Sequence, residues 1–455
     1  MQISDLIAEL RTVLGDRIAT GAAICEAHGR DESHHPAAPP DAVAFVHSTE
    51  EVASVVKACA ARGVPVIPFG TGTALEGGVG AVRGGICIDL SAMNRVLRVS
   101  PEDMDVTVEA GVTRKRLNEE LRDTGLFFPI DPGADASIGG MAATRASGTN
   151  AVRYGTMRDA VLNLTVVLAD GQVIRTGGRA RKSAAGYELT RLFGGSEGTL
   201  GVITEITLRL HGQPEAISAA ICPFPSIDDA VRCCILAIQC GVPLARVELL
   251  DEAQMDACIR YSKLDYPVAP TLFFEFHGSK ASVREQAETV QQIAADCGGS
   301  DFHWTDTAEE RSRLWQARHD ALYAALALKP GARAWSTDLC VPIASLGICI
   351  GETRADIEAS PLTATIVGHV GDGNFHVIFL LDPENPDDLA EAERLNARMV
   401  ARALALDGTC TGEHGIGRGK IDCLVDEMGP AVGVMRAVKM ALDPGNIMNP
   451  GKIFV

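Results

Sequence analysis

The sequence has 455 residues, enough for about three domains of about 150 residues each. Hydrophobic residues make up 46% and charged residues 22% of the chain, which is typical of a globular protein with a substantial core. The net charge of −18 argues against a nucleic-acid-binding protein, because contacts with the phosphate backbone require clustered lysines and arginines.

The first half of the chain predicts an alternation of helices and strands. An amphipathic helix opens it, and the pattern Ser48-x-x-Glu51 predicts the start of a second helix that Gly63 ends. A third helix is expected at about 113–124. Strands are predicted at 42–46, 64–67, 86–90 and 105–110, and a strand-rich stretch at 161–210.

The polar segment 211–216 is the best candidate for a domain boundary, since the pattern changes beyond it. The later part reads as strand, turn and helix over 222–241, a strand at 271–277, and helices at 280–297, 307–328 and about 430–442. Together with the motifs discussed below, this predicts three parts with the bounds 1–212, 213–412 and 413–455.

The beginning of the chain and its cysteines predict a soluble, cytoplasmic protein. The first residues carry Asp5 and Glu9 and resemble neither a signal peptide nor a mitochondrial transit peptide. Thirteen cysteines, with no Cys-x-x-Cys spacing, indicate reduced and mostly buried thiols. No uncharged apolar run approaches the roughly 18 residues that span a bilayer.

Three familiar motifs are not supported. Gly194–Gly198 matches the G-x-S-x-G pattern of a nucleophile elbow, but a predicted strand, rather than a helix, follows it. Leu75 stands where the third glycine of a GxGxxG dinucleotide motif belongs, and His414 stands where a P-loop has its first glycine. The sequence therefore favours neither a hydrolase of that type, nor a Rossmann fold, nor a P-loop ATPase.

Three glycine-rich segments, 68–78, 129–155 and 194–206, remain to be explained. The first follows a predicted strand, so its successive backbone N–H groups would suit a phosphate or pyrophosphate. The second consists mostly of small residues, which allow the backbone to approach an extended ligand closely. Each segment alone is more often an ordinary surface loop, but the three in this order are a more specific pattern.

These segments resemble the FAD-binding elements of the vanillyl-alcohol oxidase superfamily. They are most similar to its branch of FAD-dependent D-lactate dehydrogenases (cytochrome), glycolate oxidase flavoprotein subunits and D-2-hydroxyglutarate dehydrogenases. GHVGDGNFH (368–376), GTCTGEHGIG (408–417), DPGNIMNPGKIF (443–454) and the stretch 315–343 resemble the same branch. The resemblance implies an α+β fold, with a two-part FAD-binding domain of PCMH type, an α+β cap domain, and a C-terminal segment that returns to the flavin.

The resemblance also implies the FAD contacts. Residues 68–75 would wrap the pyrophosphate, and the other contacts given at the end of this paragraph would line the remainder of the cofactor. Since 65–80 and 129–155 contain neither His nor Cys, we expect the FAD to be non-covalent. The implied contacts are Pro68, Phe69, Gly70, Thr71, Gly72, Thr73, Ala74, Leu75, Pro132, Gly133, Ser137, Gly139, Gly140, Ala143, Thr144, Ser147, Gly148, Tyr154, Glu197, Gly201, Val202, Ile203, Asn449 and Lys452.

His369 and His376 flank a Gly-Asp-Gly-Asn turn, and Glu413-His414 lies in another glycine-rich turn. Two histidines and a carboxylate suit Zn²⁺ or a similar divalent metal, although the spacing alone favours ordinary solvated or core histidines. The resemblance implies that His369, His376 and Glu413 bind a divalent metal near the flavin, Zn²⁺ with Mn²⁺ or Fe²⁺ as alternatives. His414 would contact the substrate and act as the base.

Arg318 is predicted to share one face of the helix 307–328 with Leu314, Leu322 and Ala325. A guanidinium in an apolar stripe requires an anion beside it. That anion is either a carboxylate of the protein or a substrate carboxylate held bidentately. The resemblance favours the substrate.

The predicted reaction is FAD-dependent oxidation of a small D-2-hydroxy acid, D-lactate first, to the 2-oxo acid. Arg318 would hold the carboxylate, with Arg333 as a second candidate or simply an exposed residue. The metal would lower the pKa of the substrate hydroxyl, His414 would take its proton, and a hydride would pass to flavin N5. A cytochrome, a quinone or an electron-transfer flavoprotein, and not NAD, would then accept the electrons. A homodimer is left open.

Several alternatives are open. D-2-hydroxyglutarate dehydrogenase and glycolate oxidase flavoprotein subunit are the nearest, but Leu322, Ala325 and Leu326 after Arg318 could not compensate a second buried carboxylate. A non-catalytic electron-transfer subunit is disfavoured by the presence of Arg318 and the whole His/Glu set. A flavin-free metallohydrolase is disfavoured by the three glycine-rich segments.

Overall fold

The computed structural model describes residues 2–454. Its strands are β1 (Ile18–Ala19), β2 (Ala42–Phe45), β3 (Val66–Phe69), β4 (Ile86–Asp89), β5 (Val96–Ser100), β6 (Asp105–Glu109), β7 (Leu126–Phe127), β8 (Val161–Val167), β9 (Val173–Arg175), β10 (Val202–Arg209), β11 (His211–Gly212), β12 (Ala216–Pro223), β13 (Leu244–Leu250), β14 (Thr271–Gly278), β15 (His303–Thr305), β16 (Arg333–Ser336), β17 (Leu339–Cys340), β18 (Thr363–His369) and β19 (Asn374–Leu381).

The helices alternate with these strands. They are α1 (Gln2–Leu14), α2 (Ala22–His28), α3 (Thr49–Ala60), α4 (Arg114–Leu121), α5 (Ile138–Thr144), α6 (Ala151–Tyr154), α7 (Met157–Ala160), α8 (Leu189–Phe193), α9 (Ile227–Gln239), α10 (Glu252–Ser262), α11 (Lys280–Asp296), α12 (Ala308–His319), α13 (Ala321–Leu328), α14 (Leu346–Glu358), α15 (Pro386–Ala405), α16 (Ile421–Met428) and α17 (Ala431–Leu442).

The chain forms two compact units. The first unit comprises Met1–Ser147, Gly155–Gln213 and Glu413–Val455, and the second unit comprises Gly148–Tyr154 and Pro214–Gly412. The chain thus passes between the units after Gln213 and after Gly412, and residues 413–455, predicted as a separate part, belong to the first unit. Residues 148–154, predicted to belong to the FAD-binding domain, lie in the second unit because α6 packs against β13.

The first unit contains two main sheets. The smaller has the order β1-β2-β4-β3, in which β4 pairs with β2 and β3 in parallel, and the larger is antiparallel with the order β5-β6-β10-β8-β9. Strand β4 is buried along its whole length, as a central parallel strand requires. Helix α3 begins where predicted, because the Ser48 hydroxyl accepts a hydrogen bond from the Glu51 backbone N–H.

One predicted strand of the first unit begins two residues later than expected. The sequence predicts a strand from residue 64, whereas β3 begins at Val66. Gly63 adopts a left-handed φ of 63°, and the Val64 N–H donates back to the Cys59 carbonyl. This hydrogen bond closes the end of α3, so Val64 belongs to the helix cap rather than to the strand.

The second unit is built on one antiparallel sheet with the order β15-β12-β14-β13-β18-β19-β16, in which β17 also pairs with β19. Strands β18 and β19 form a hairpin around the predicted Gly-Asp-Gly-Asn turn. Gly373 in this turn has φ 78°, and a Cβ there would lie 2.0 Å from the Val341 carbonyl oxygen, so only glycine fits.

The long helix predicted at 307–328 is two helices, and this expectation was wrong. Helix α12 ends at His319, and α13 begins after Asp320, whose carboxylate accepts hydrogen bonds from Gln316 and Ser262. The break changes which side chains share a face. Leu314 is 2% exposed but Leu322 is 41% exposed, so Leu322 does not extend the apolar stripe beside Arg318.

The thirteen cysteines are free thiols, and most are buried, as the sequence predicted. Over residues 2–454, every helix is too short or too polar to span a lipid bilayer.

Candidate active site

Apart from residues 148–154, the three glycine-rich segments lie together in the first unit. A Cβ on Gly70 would lie 2.3 Å from the Ser137 hydroxyl, and a Cβ on Gly198 would lie 2.8 Å from the Pro68 side chain. The N–H of Glu197 also donates to the Ala143 carbonyl, which ties the third segment to the second. The segments therefore approach one another more closely than any residue larger than glycine would permit.

The C-terminal segment returns to these loops. The Val66 N–H donates to the Ile447 carbonyl, and the Asn449 N–H donates to the Val66 carbonyl. The Asn449 side-chain amide donates to the carbonyls of Gly78 and Glu197, and Lys452 Nζ donates to the Gly80 carbonyl at 2.6 Å. Burial lowers the pKa of Lys452 to about 8. These two side chains, predicted as FAD contacts, are used in the structure to hold loop carbonyls in place.

Glu197 has a similar structural task. Its two carboxylate oxygens accept hydrogen bonds from the backbone N–H groups of Ile416 and Gly417, each at 2.7 Å. Burial raises its pKa to about 7 in spite of these bonds. The carboxylate fixes the turn that follows Glu413-His414, so Glu197 organises the neighbourhood of the predicted base. Its own backbone has a left-handed φ of 51° in the glycine-rich segment 194–206.

His414 lies in the first unit beside two charged residues that the sequence interpretation overlooked. Its Nδ1 is 3.7 Å from Glu76 Oε1, and Lys420 Nζ is 3.1 Å from the same oxygen. Burial alone would raise the pKa of Glu76, but Lys420 and His414 outweigh it and lower the pKa. Glu76 stands in the glycine-rich segment 68–78 already singled out, which was the available signal, whereas Lys420 lies just beyond the motif 408–417.

In the second unit, His369 and His376 lie on adjacent strands of the hairpin. Both are buried, with ring centroids 5.2 Å apart and rings nearly perpendicular. His369 Nδ1 is 2.7 Å from Glu248 Oε1, and His376 Nδ1 is 2.8 Å from the Thr337 carbonyl oxygen. Because an acceptor meets Nδ1 of each ring, the Nδ1 atoms of His369 and His376 both carry hydrogen. Nε2 of each ring would then be the atom that binds a metal.

The carboxylate of Asp338 holds the turn of the β18–β19 hairpin. Asn374 donates to Asp338 Oδ1 at 2.8 Å and to the Leu339 carbonyl at 2.7 Å, and the Thr411 hydroxyl donates to Asp338 Oδ2 at 2.8 Å. Asp338 Oδ1 also lies 3.8 Å from His376 Nδ1. These bonds keep the two histidines in register. Nothing in the sequence around Asp338 identified it.

Arg318 is paired with a carboxylate of the protein. Its Nε and Nη2 each lie 2.8 Å from Glu248 Oε2. Burial alone would raise the pKa of the fully buried Glu248, but His369 and Arg318 outweigh it and lower the pKa. Of the two anions that the sequence left open, the structure contains the internal one. Arg333 is exposed on β16.

Two family models match the chain. Residues 40–177 match a FAD binding domain, and residues 213–453 match the C-terminal domain of FAD linked oxidases. The solved structure of p-cresol methylhydroxylase with substrate bound has 19% sequence identity and a TM-score of 0.82, covering 99% of this chain and 96% of that one. This likeness confirms the predicted fold of a two-part FAD-binding domain with a cap.

Two relatives align with almost the whole chain. "Probable D-lactate dehydrogenase, mitochondrial" of Danio rerio is 56% identical, covering 99% of this chain and 92% of the relative. "D-lactate dehydrogenase [cytochrome], mitochondrial" of Arabidopsis thaliana is 49% identical, covering 99% of this chain and 80% of the relative.

The prediction of a cytoplasmic location was wrong, because the names of both relatives state a mitochondrial one. The prediction depended on the absence of signal-peptide and transit-peptide patterns from the first residues. The absence of such a pattern carries no positive information on location. The fold prediction has firmer support, since the two family models, the two relatives and the solved structure agree with one another. The chain belongs to the FAD-linked oxidases, with an FAD-binding domain and a C-terminal oxidase domain.

Proposed function

We propose that the chain is an FAD-dependent dehydrogenase that oxidises D-lactate, and small D-2-hydroxy acids like it, to the 2-oxo acid. The observation that carries the proposal is the contact of the partly buried Arg318 with the buried Glu248, His369 and His376, in a chain with relatives named D-lactate dehydrogenases. An arginine can bind the substrate carboxylate, and a histidine pair can hold a metal that activates the hydroxyl of a 2-hydroxy acid.

The first unit would hold FAD. The close approach of Gly70 to Ser137 and of Gly198 to Pro68 provides loops whose backbone a flat, extended ligand could contact, which supports the fit. When bound, FAD would supply the acceptor for a hydride, which carries both electrons of the oxidation, from the substrate α-carbon. We propose non-covalent attachment, since 65–80 and 129–155 offer neither histidine nor cysteine. Acid precipitation should then leave yellow supernatant, and a yellow band on a denaturing gel would contradict this.

His369 and His376 would hold a divalent metal, Zn²⁺ or alternatively Mn²⁺ or Fe²⁺. The hydrogen bonds at Nδ1 of both rings fit this role, because they orient the rings and make Nε2 the ligand atom. Glu413 remains the predicted third ligand. A metal there supplies Lewis acidity that lowers the pKa of a bound hydroxyl.

Arg318 would bind the substrate carboxylate. Glu248 occupies its Nε–Nη2 side, so the carboxylate would meet the Nη1–Nη2 end of the guanidinium. Arg333 remains a secondary candidate. His414, whose Nδ1 faces Glu76, would take the hydroxyl proton at Nε2. A cytochrome is the favoured electron acceptor, since the name of one relative includes it, with a quinone or an electron-transfer flavoprotein as alternatives.

Anaerobic bleaching of the flavin absorbance tests the proposal. The purified protein is mixed in turn with D-lactate, L-lactate, glycolate and D-2-hydroxyglutarate. We expect D-lactate to bleach the flavin fastest and L-lactate to leave it oxidised. Because Leu322 is exposed, the argument from the helix face against a second carboxylate is weakened. If D-2-hydroxyglutarate or glycolate bleaches faster than D-lactate, the proposed substrate is wrong. If none of the four does so, the proposed function is wrong.

A further inference from the structure

Glu248 connects the metal-site histidine to the arginine proposed for the substrate. It lies on β13, and its side chain is fully buried. Oε1 lies 2.7 Å from His369 Nδ1, and Oε2 lies 2.8 Å from both Nε and Nη2 of Arg318. One carboxylate therefore contacts two functional groups from different parts of the second unit.

The chemistry of this contact is directional. A carboxylate at Nδ1 keeps the hydrogen on that nitrogen, which leaves the Nε2 lone pair as the ligand and makes it more basic. The same carboxylate fixes the plane of the guanidinium, because two parallel N–H donors meet one oxygen. His376 differs, since its Nδ1 meets the neutral carbonyl of Thr337. Glu248 therefore links His369 to Arg318 through a shared charge, whereas the hydrogen bond described for His376 Nδ1 goes to a neutral carbonyl.

We propose that Glu248 is a positioning residue that presents His369 Nε2 to the metal and the Nη1–Nη2 end of Arg318 to the substrate carboxylate, so that the two binding events are coupled. This inference rests on the proposed function. If the Glu248 carboxylate interacts more strongly with His369, it interacts less strongly with Arg318, and the reverse also holds. A movement of either side chain also moves the carboxylate that they share. Binding of the metal should consequently change the affinity of the site for a 2-oxo acid.

The variant Glu248→Gln keeps the shape and removes the shared charge. Its amide has one acceptor oxygen, and its NH₂ group would face a donor of His369 or Arg318. The matched control is Glu275→Gln. Glu275 is also buried, lies 2.8 Å from His277 Nε2 and 3.5 Å from Arg246 Nε, and belongs to the neighbouring strand β14. Both variants lose a buried carboxylate that a histidine and an arginine share.

The experiment measures binding and not turnover. Zn²⁺ affinity of the FAD-loaded full chain is determined by competition with a chromogenic chelator. Pyruvate binding to the oxidised protein is followed by the change in flavin absorbance, with and without Zn²⁺. For Glu248→Gln we expect Zn²⁺ affinity about 10- to 100-fold below wild type. The ratio of pyruvate affinities with and without Zn²⁺ should fall to near one, whereas Glu275→Gln should stay within about twofold of wild type in both measurements.

Wild-type Zn²⁺ affinity and an unchanged ratio in Glu248→Gln would overturn the inference, as would an equal loss in Glu275→Gln. If Glu248→Gln does not fold, Glu248→Asp replaces it, because the shorter carboxylate keeps the charge but cannot reach both partners. It should weaken Zn²⁺ binding and lower the ratio, and wild-type values would again overturn the inference. A wild-type protein that binds no Zn²⁺ but is bleached by D-lactate would refute the inference and leave the proposed function standing. The reverse result would refute the proposed function and with it the substrate role of Arg318, and the Zn²⁺ affinities would still test whether Glu248 positions His369.

Discussion

Two clusters of the same composition lie on neighbouring strands of the second unit. In one, Glu248 of β13 contacts His369 and Arg318, and in the other, Glu275 of β14 contacts His277 and Arg246. In both, burial alone would raise the pKa of the carboxyl group, and the histidine and the arginine outweigh it and lower the pKa. The carboxylate, histidine and arginine are therefore not by themselves evidence of a functional site.

The difference lies in the second nitrogen of each histidine. His277 is closed on both sides, since Nε2 meets Glu275 and Nδ1 lies 2.7 Å from the Tyr154 hydroxyl. Arg246 is covered as well, with its guanidinium 5.1 Å from the Trp315 ring centroid. His369 instead has a second histidine ring, His376, at 5.2 Å. A cluster becomes a candidate site when a further ligand-type residue faces it.

The largest effect should separate the two clusters by metal binding. We expect His376→Ala to lose bound metal and at least about a thousandfold of D-lactate turnover, because one of the proposed ligands is removed. FAD content should stay the same, since the proposed flavin contacts lie elsewhere. His277→Ala should keep its metal. Elemental analysis and flavin absorbance of both variants check this, and a metal-free His277→Ala would contradict the distinction.

The next largest effect is a loss of stability, and it should be similar for the two clusters. Glu248→Ala and Glu275→Ala each remove a buried carboxylate that contacts a largely buried arginine, and loss of one partner of such a pair typically costs about 3–5 kcal/mol of unfolding free energy. Chemical denaturation of the metal-free protein measures both. Costs that differ by more than about 2 kcal/mol would show that the clusters are not equivalent in stability.

Asp251 is a third buried carboxylic acid, and it differs from Glu248 and Glu275. The hydrogen bond described for its side chain comes from a backbone N–H and not from a histidine or an arginine. Asp251, directly after β13, accepts from the Gln254 N–H, and burial raises its pKa to about 7. As the pH rises from about 4 to 7, the unfolded chain ionises at this residue while the folded protein stays neutral, so stability falls. Asp251→Asn keeps the helix cap and removes this loss, on the order of 3 kcal/mol. The stability difference between variant and wild type should therefore grow between pH 4.5 and 7.5, and a constant difference would be contrary evidence.

The smallest effect concerns the hydrogen bond between Tyr154 and His277 in the second cluster. Tyr154→Phe removes the hydrogen bond to His277 and should cost about 1 kcal/mol of stability. Zn²⁺ affinity should be unchanged. Thermal unfolding and chelator competition measure the two quantities, and weaker Zn²⁺ binding in this variant would link the clusters functionally.

Local patterns allowed much of this molecule to be predicted. The hairpin of β18 and β19 follows from β-rich sequence around Gly373, and the start of α3 follows from Ser48 and Glu51. Glu248 could not be identified in the same way. It is one glutamate in a strand, and its partner His369 lies 121 residues further along the chain, so the contact exists only after the sheet has formed.

The helix around Arg318 shows a second limit of sequence patterns. Helical periodicity continues from α12 through α13, but the two helices are separate and meet at Asp320, whose side chain accepts hydrogen bonds from Gln316 and from the distant Ser262. The periodicity therefore assigned Leu322 to the wrong face. Asn449 and Lys452 illustrate a third limit. The resemblance implied them as FAD contacts, and their hydrogen bonds to distant loop carbonyls are a further role that the sequence pattern did not indicate.

The return of the C-terminal segment to β3 has a consequence for biosynthesis. The first unit includes Glu413–Val455, so the ribosome makes the whole stretch Pro214–Gly412 before the last part of the first unit exists. At about 5–20 residues per second, this delay amounts to roughly 10–40 s. During that time Val66 lacks its hydrogen bonds to Ile447 and Asn449, and the glycine-rich loops lack the side chains that later hold them. The nascent first half must therefore persist incomplete, and we infer that the second unit can reach its native structure first.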